Sequence, residues 1–300
     1  MAVLYNSSGC NNCNLVFPLM LESMFIPFKI KKETIDATCQ IGRYNFDTSS
    51  MIDVVKANIN ADRIKQLMID GTMLQEDWFP SESYDSLFNV FISHAHADDY
   101  VVRQLAGYLH DVFGLRCFID SVYWGYVEDL QKNLDDWYSK VVRNGHECYD
   151  YKTSNFMAAN VHIMLSMALM KMMDACECLM FVDSDNSLKY QKGQTKTPSP
   201  WIYEEMGFAK KLRINIPERH KKDFSISVNE SRRESSISLI CFSSTEPRKA
   251  NFTYNVDMRD FAELKIGDFQ AAMGKKGVYV LDYWYRKYDA QAKTVKRLIE

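Results

Sequence analysis

The chain has 300 residues, 47% hydrophobic and 25% charged, with a formal net charge of −3. This is globular composition with enough apolar material for one elaborated domain or two, and it excludes an intrinsically disordered chain. The slightly acidic balance, with a pI near 6.1, argues against a nucleic-acid partner, because phosphate contacts need a dense Lys/Arg surface.

In chain order, the first apolar piece, L-V-F-P-L-M-L-E-S-M-F-I-P-F-K-I, is interrupted by Pro18 and Pro27. Proline removes a backbone donor, so neither a long helix nor a central strand is expected there. Cys10 and Cys13 form a C-N-N-C pair with no second pair or histidine cluster to complete four zinc ligands, and they read as free thiols. From Ser49 to Glu76 the apolar spacing turns helical, through Ile52, Val55 and Ile59, then Ile64, Leu67 and Met68. Asp53 and Asp62 lie near the starts, and Gly71 is a stop. The segment D-W-F-P-S-E-S around Trp78 and Pro80 is the linker into the next unit.

Leu87 to Ile92, L-F-N-V-F-I, is a short apolar run of the kind buried on both faces of a parallel sheet, and it ends in S-H-A-H-A-D-D. The following helix carries Val102, Leu105, Ala106, Leu109 and Phe113 on one face and stops at Gly114; L-R-C-F-I-D is then a second strand. In such a right-handed βαβ unit Ser93 and Asp120 share the carboxyl edge of the sheet, where open α/β folds bind ligands. A loop with Trp124 and Gly125 enters a helix through Leu130, Leu134 and Trp137. Phe156 to Met173 is a further helix, whose methionines are flexible core filler.

The third strand is C-L-M-F-V-D-S, followed by a polar stretch from Asn186 to Thr197. A helix then begins with Ser199 as N-cap and Pro200 at the first helical position. Trp201, Glu205, Phe208 and Leu212 recur on one face of it, which puts the Glu205 carboxylate inside an apolar stripe, with Glu204 pointing elsewhere. An ionised group there is costly unless paired or chemically employed, so Glu205 is either tied to a partner at the core rim or is the chemical group of a pocket. Beyond Leu212, residues Pro217 to Ser236 form a charged connector with balanced signs. I-S-L-I-C-F and F-T-Y-N-V resemble strands, and G-V-Y-V-L-D-Y-W-Y-R-K-Y is aromatic enough to be a packed terminal element.

Cys117, Cys176, Cys178 and Cys241 lie in apolar runs, so free buried thiols in a reducing cytoplasm are expected. The N-terminus lacks the basic region of a secretory signal. The most apolar run, Asn155 to Met173, contains Asn160, His162 and Lys171 and meets Asp174 before a span of about 20 residues, so no membrane partner is expected. His162 reads as a satisfied core histidine.

Three strand ends, S-H-A-H-A-D-D, D-S and D-S-D-N-S, together with the Glu205 helix, converge on one sheet edge. His94 and His96 form an H-x-H pair without a third ligand at useful spacing, so no metal is expected. There is no Walker lysine loop and no G-x-G-x-x-G after the first strand. A Ser or Cys nucleophile with base and orienter is not visible. What remains is one carboxylate near polar strand ends.

These residues resemble a family, the bacterial Toll/interleukin-1 receptor (TIR) domains, especially the TIR-like proteins of Thoeris-type anti-phage defence. The resemblance covers about residues 85–215. It rests on V-F-I-S-H-A-H-A-D-D, C-F-I-D-S-V-Y-W-G-Y, V-H-I-M-L-S-M-A-L, C-E-C-L-M-F-V-D-S and S-P-W-I-Y-E-E, in that order. It implies an α/β fold, a flavodoxin-like parallel sheet flanked by helices. The expected division is a partly helical N-terminal accessory segment (1–84), the TIR-like domain (85–215) and an α+β C-terminal extension packed on it (216–300). The chain departs from a minimal TIR domain in that preface, in an insert from about Val142 to Asn155 and in its large C-terminal segment.

By the same resemblance the chain cleaves the nicotinamide–ribose bond of NAD, its substrate, without a separate cofactor. Glu205, four residues after Trp201 in a W-x-x-x-E pattern, is the implied catalytic residue, and Ser93, His94, Asp120, Ser121, Trp124 and Trp201 line the implied NAD pocket. The Asp and Ser residues also suit helix capping and loop structure, and both readings stand. Implied partners are further copies of the chain through TIR surfaces, a separate effector answering to the product, and a phage-derived trigger. Two other readings stay open: a non-enzymatic TIR scaffold and a nucleoside deoxyribosyltransferase-like enzyme.

Overall fold

Short β-rich runs alternating with amphipathic helices build a parallel sheet, because parallel neighbours need crossovers and both sheet faces must be covered. A computed structural model of the chain describes residues 26–39, 44, 88–123, 127–209 and 252–299, without the side chains of 123, 127–130 and 289–299. The main sheet has five parallel strands, β1 (Phe28–Lys31), β2 (Val90–Ser93), β3 (Cys117–Phe118), β6 (Cys178–Asp183) and β10 (Ala262–Leu264). Their spatial order is β10-β1-β6-β2-β3. At the centre, β6 sets Val90 beside Cys178 and Ser93 beside Phe181 on one flank, and Phe28 beside Met180 on the other.

Side chains alternate across the pleat, so each strand feeds two cores. Phe28, Ile30, Val90, Ile92, Cys117, Met180 and Val182 face a layer made by α1 (Lys32–Cys39), α2 (Asp99–Phe113), α7 (Ile266–Ala271) and α8 (Val278–Ile299). Phe91, Phe118, Leu179 and Phe181 face the opposite layer, from α5 (Tyr151–Ala175) and α6 (Pro200–Ala209). The connections leaving β2 and β6 at the carboxyl edge therefore part to opposite faces, the arrangement at which open α/β sheets bind ligands.

The helix after β2 stops where expected: Gly114 takes φ 71°, a left-handed value that suits a residue without Cβ, and its amide caps His110 O. Ser199 O accepts from the Tyr203 amide (3.1 Å) and Ser199 Oγ from the Ile202 amide (3.3 Å), as an N-cap should. The aromatic C-terminal stretch is α8, anchored by the fully buried Trp284.

Several expectations change. A strand follows directly on Pro27 and is central, paired on both sides by β6 and β10. Pro27 does not obstruct it, because the residue stands just outside the strand and offers only its carbonyl, which accepts from the Ala262 amide at 2.9 Å. The sheet is accordingly not contained in residues 85–215, since β1 and β10 come from the flanking segments. The insert after Val142 is an antiparallel hairpin, β4 (Lys140–Arg143) and β5 (His146–Tyr149), running into α5. Asn144 and Gly145 both have positive φ, the I′ signature of an Asn-Gly turn. The polar stretch before α6 is a second hairpin, β7 (Lys189–Gln191) and β8 (Gln194–Thr197), with the short β9 (Tyr254–Asn255) added to it.

Other corrections concern burial. The inward line of α6 is Ile202, Glu205 and Met206, with Trp201 and Phe208 only partly covered. Trp137 on α4 (Val127–Tyr138) is exposed, whereas Leu134 is buried. His162 is exposed, its ring 5.6 Å from that of Trp201, so it is not a core histidine. Helix α5 is long and apolar enough, by length and composition, to cross a bilayer; here it packs along α4 and α6. The helical preface at 49–76, the linker at Trp78, Cys10, Cys13, Cys241, Leu212 and I-S-L-I-C-F lie outside the described residues.

Candidate active site

Ser93 ends β2 with its side chain on the same face as Phe91, the face that α6 covers. That parity brings its hydroxyl to Glu205, 112 residues later, and Ser93 Oγ donates a short hydrogen bond to Glu205 Oε2. Glu205 is 2% exposed. The neighbouring strand β3 delivers Asp120, at the start of α3 (Asp120–Tyr123), close enough for its carboxylate to act on Glu205.

Burial, then the Asp120 charge, with a smaller push from Glu204, hold the Glu205 carboxyl well above the usual carboxylate range, against the pull of the Ser93 hydroxyl. Glu204 points elsewhere, as the spacing predicts, and accepts a hydrogen bond from Ser166 on α5. The two adjacent glutamates thus take different partners: Glu204 joins α6 to α5, and Glu205 joins α6 to the end of β2.

His94 is buried beside this pair. Its Nδ1 lies 3.4 Å from Ile92 O and 3.6 Å from Asp120 Oδ1, and its Nε2 lies 3.4 Å from Ser121 Oγ. Asp120 Oδ1 is enclosed and accepts no hydrogen bond. Ser121 Oγ donates to Asp99 Oδ1 at 2.6 Å, and Asp99 Oδ2 accepts from Arg103 Nε at 2.6 Å. Burial would raise the Asp99 carboxyl, but the bonds from Arg103 and Ser121 outweigh it and hold Asp99 below its ordinary value.

Of the residues singled out in the sequence, Ser93, His94, Asp120, Ser121 and Glu205 come together. Trp201 sits one turn before Glu205 but turns its ring to α5, beside Leu169, Met172 and His162. Trp124 lies outside the described residues. The third strand end reaches the same edge yet engages a different acid: Ser184 Oγ and Asn186 Nδ2 donate to Asp98, the latter at 2.8 Å. This second cluster is a clasp between the β2 and β6 loops, with its polar groups satisfied by one another. The structure adds Asp99 and Arg103 to the residues near the site. Their signal is the i, i+4 Asp/Arg pair that opens the helix after S-H-A-H-A-D.

His96 is exposed and diverges from His94, so the H-x-H pair does not converge. Among the described residues no group of three or more His, Cys, Asp and Glu side chains is placed to hold a metal. Burial pushes the Cys117, Cys176 and Cys178 thiols upward, which leaves them poor nucleophiles. The arrangement offers a dry carboxyl, a hydroxyl donor, a second carboxylate and an imidazole at the switch between β2 and β6. Such a carboxyl gains most from a cationic partner. Compared with family models, with curated proteins and with solved structures, the chain gives no match.

Proposed function

We propose that this protein is a TIR-type enzyme that cleaves the nicotinamide–ribose bond of NAD. Its product is an ADP-ribose-derived signalling nucleotide, cyclic or conjugated, in bacterial anti-phage immunity. The observation that carries this reading is the Glu205 carboxyl, buried at the carboxyl edge between β2 and β6 and held by the Ser93 hydroxyl. The local order β3-β2-β6 is that of strands 2-1-3 in a flavodoxin-like sheet, which supports the finer fold assignment.

The chemistry suits one carboxyl. The ribose C1′–N bond breaks with its electron pair passing to nicotinamide, which leaves as a neutral molecule from a cationic nitrogen. No general acid is needed, unlike the departure of an alcohol from ordinary glycosides. Glu205, ionised by the approach of this cation, stabilises the oxocarbenium-like charge on the ribose, and a dry site strengthens that effect. Water or a hydroxyl then adds to C1′ and passes its proton to the Glu205 carboxylate, replacing the one released to solvent when Glu205 ionised. Ser93 fixes the carboxyl; His94, Asp120 and Ser121 form the adjoining wall.

Incubation of the purified chain with NAD, with mass analysis of products, tests the proposal. Nicotinamide release that vanishes in Glu205→Gln supports it; equal release by the variant sinks it. Deoxynucleosides in the same assay separate a deoxyribosyltransferase-like enzyme. One observation favours a non-enzymatic TIR scaffold, the exposed Phe156 and Ile163 on α5. Loss of assembly in Glu205→Gln, with no turnover in the wild type, would select that reading.

A further inference from the structure

Helix α5 is buried along one side, from Val161 to Met173. On the opposite side stand Lys152, Phe156, Ala159, Ile163, Met167, Met170 and Asp174, one continuous stripe at helical spacing. Phe156 and Ile163 are 64% and 63% exposed; Lys152, Ala159 and Asp174 are also exposed, and Met167 and Met170 are half-buried. Asn160, beside the stripe, turns its amide back onto its own helix and donates to Phe156 O at 2.7 Å. The stripe is therefore apolar through its middle and charged only at its ends. Those charges oppose the helix that carries them. The first turn holds Lys152 and no acid, and the last turn holds Asp174 and no base, the reverse of what the helix dipole favours.

We propose that this stripe is a homodimer interface, on which a second copy of the chain lays its own α5 antiparallel about a two-fold axis at Ile163. Across that axis Ile163 meets its own copy, and the pairs Ala159–Met167, Phe156–Met170 and Lys152–Asp174 each form twice. A small side chain then faces a long adaptable one, and an aromatic ring faces a thioether, a favoured contact. At both rims the charge that is misplaced on its own helix meets its opposite. Such a contact of one patch with itself is isologous and closes at two copies. A bilayer is the other apolar surface to weigh, since α5 has the length and composition of a spanning helix. It fits less well, because Asp174 would face anionic headgroups and because α4 and α6 hold the helix within the fold. At about 1.5 Å per residue the stripe runs roughly 33 Å. One helix pair of that length lies at the low end of stable interfaces, so the dimer is concentration-dependent.

Sedimentation equilibrium of the full chain at about 1 to 100 μM, the range of weak specific contacts, is expected to show monomer and dimer in exchange. Ile163→Asp sets two like charges on the axis and is expected to weaken the dimer roughly 100-fold. Lys152→Glu and Asp174→Lys each create like-charge rims and are expected to weaken it roughly 10-fold. The double variant Lys152→Glu/Asp174→Lys is expected to recover the wild-type constant. That recovery is specific to an antiparallel pair, because in a parallel one each charge meets its own copy. A wild type that stays monomeric overturns the proposal, as does a dimer unchanged by Ile163→Asp or a double variant no tighter than the singles. Unchanged thermal melting is expected for side chains this exposed; if Ile163→Asp does not fold, the charge swap decides alone. Flotation with phosphatidylcholine and phosphatidylglycerol vesicles, roughly three to one, tests the bilayer. Binding by a monomeric wild type that is lost in Ile163→Asp would assign the stripe to lipid and overturn the dimer. The oligomeric state is read without substrate, so an inactive wild type would defeat the NAD reading and leave the dimer standing.

Discussion

Glu205 and Asp268 are equally buried, each 2% exposed as Asp98 also is, and the surroundings of the two are opposite. Asp268, near the start of α7, accepts from the Lys265 amide (2.7 Å), from Tyr288 Oη (2.8 Å) and from the Lys287 ammonium. Burial alone would raise its pKa, but the Lys287, Lys265 and Tyr288 bonds hold it below the ordinary value. Among the described residues Glu205 has one hydroxyl and two neighbouring acids, and it is raised by burial first and then by the Asp120 charge. The fold gives Asp268 three donors, and among the described residues it gives Glu205 the Ser93 hydroxyl. Such a contrast is what the catalytic role proposed for Glu205 requires.

The comparison is broken most severely from the Asp268 side by Trp284→Ala. Trp284 is fully buried against Phe28, Phe113 and Phe269 and donates Nε1 to Asp268 O. Its loss is expected to cost about 4 kcal/mol, read by denaturant unfolding. Next comes Glu205→Gln, expected to reduce nicotinamide release by roughly 100-fold or more, the scale for removal of a preorganised charge-stabilising group.

The same variant is expected to gain stability at neutral pH. Because the folded pKa of Glu205 lies above its unfolded value, the wild type loses stability as pH rises from about 4.3 through the folded pKa. Glutamine removes that loss, and the gain disappears below about pH 4. A Glu205→Gln protein less stable than the wild type at pH 7 would contradict this account of the site.

Asp268→Asn is a smaller perturbation, about 2 kcal/mol, because a hydrogen-bonded charge is lost while Lys287 still reaches solvent. Its sign is reversed. The depressed folded pKa makes the Asp268 contribution present above the unfolded value of about 3.9 and lost as pH falls through the folded value. Parallel melts of variant and wild type should therefore converge in acid. The smallest effect is expected for Ser93→Ala. The Ser93 bond favours the ionised Glu205, so its removal should move the rising limb of the pH–activity profile upward and cost a few-fold in rate at neutral pH, about 1 kcal/mol. An unmoved limb would show that Ser93 does not tune the carboxyl.

Much of the edge was legible beforehand because its signals are local. An apolar run that ends in Ser or Asp, Gly114 after a helical face, and Ser199-Pro200 before another each specify an element over a few residues. The Trp201–Glu205 spacing likewise distinguished Glu205 from Glu204, whose partner turned out to be Ser166. The hairpin at Asn144-Gly145 also has a local trace, the Asn-Gly dipeptide of a I′ turn. Partnerships were not legible, since the sequence separation between Ser93 and Glu205, or between Asp98 and Ser184, carries no local trace of contact.

By itself, then, the sequence determined the alternation of strands and helices, the carboxyl edge as the place where polar residues gather, and an acid on the inward side of α6. Tertiary structure decided which strands stand together. Pro27 does not keep β1 from the centre, because it lies just before the ladder, and β10 completes the sheet from the far end of the chain. It also sorted the polar strand ends into a self-satisfied clasp at Asp98 and a deficient cluster at Glu205. That sorting depends on pleat parity and strand order, which fix the face each side chain reaches, and on desolvation, which arises only when the layers close over it.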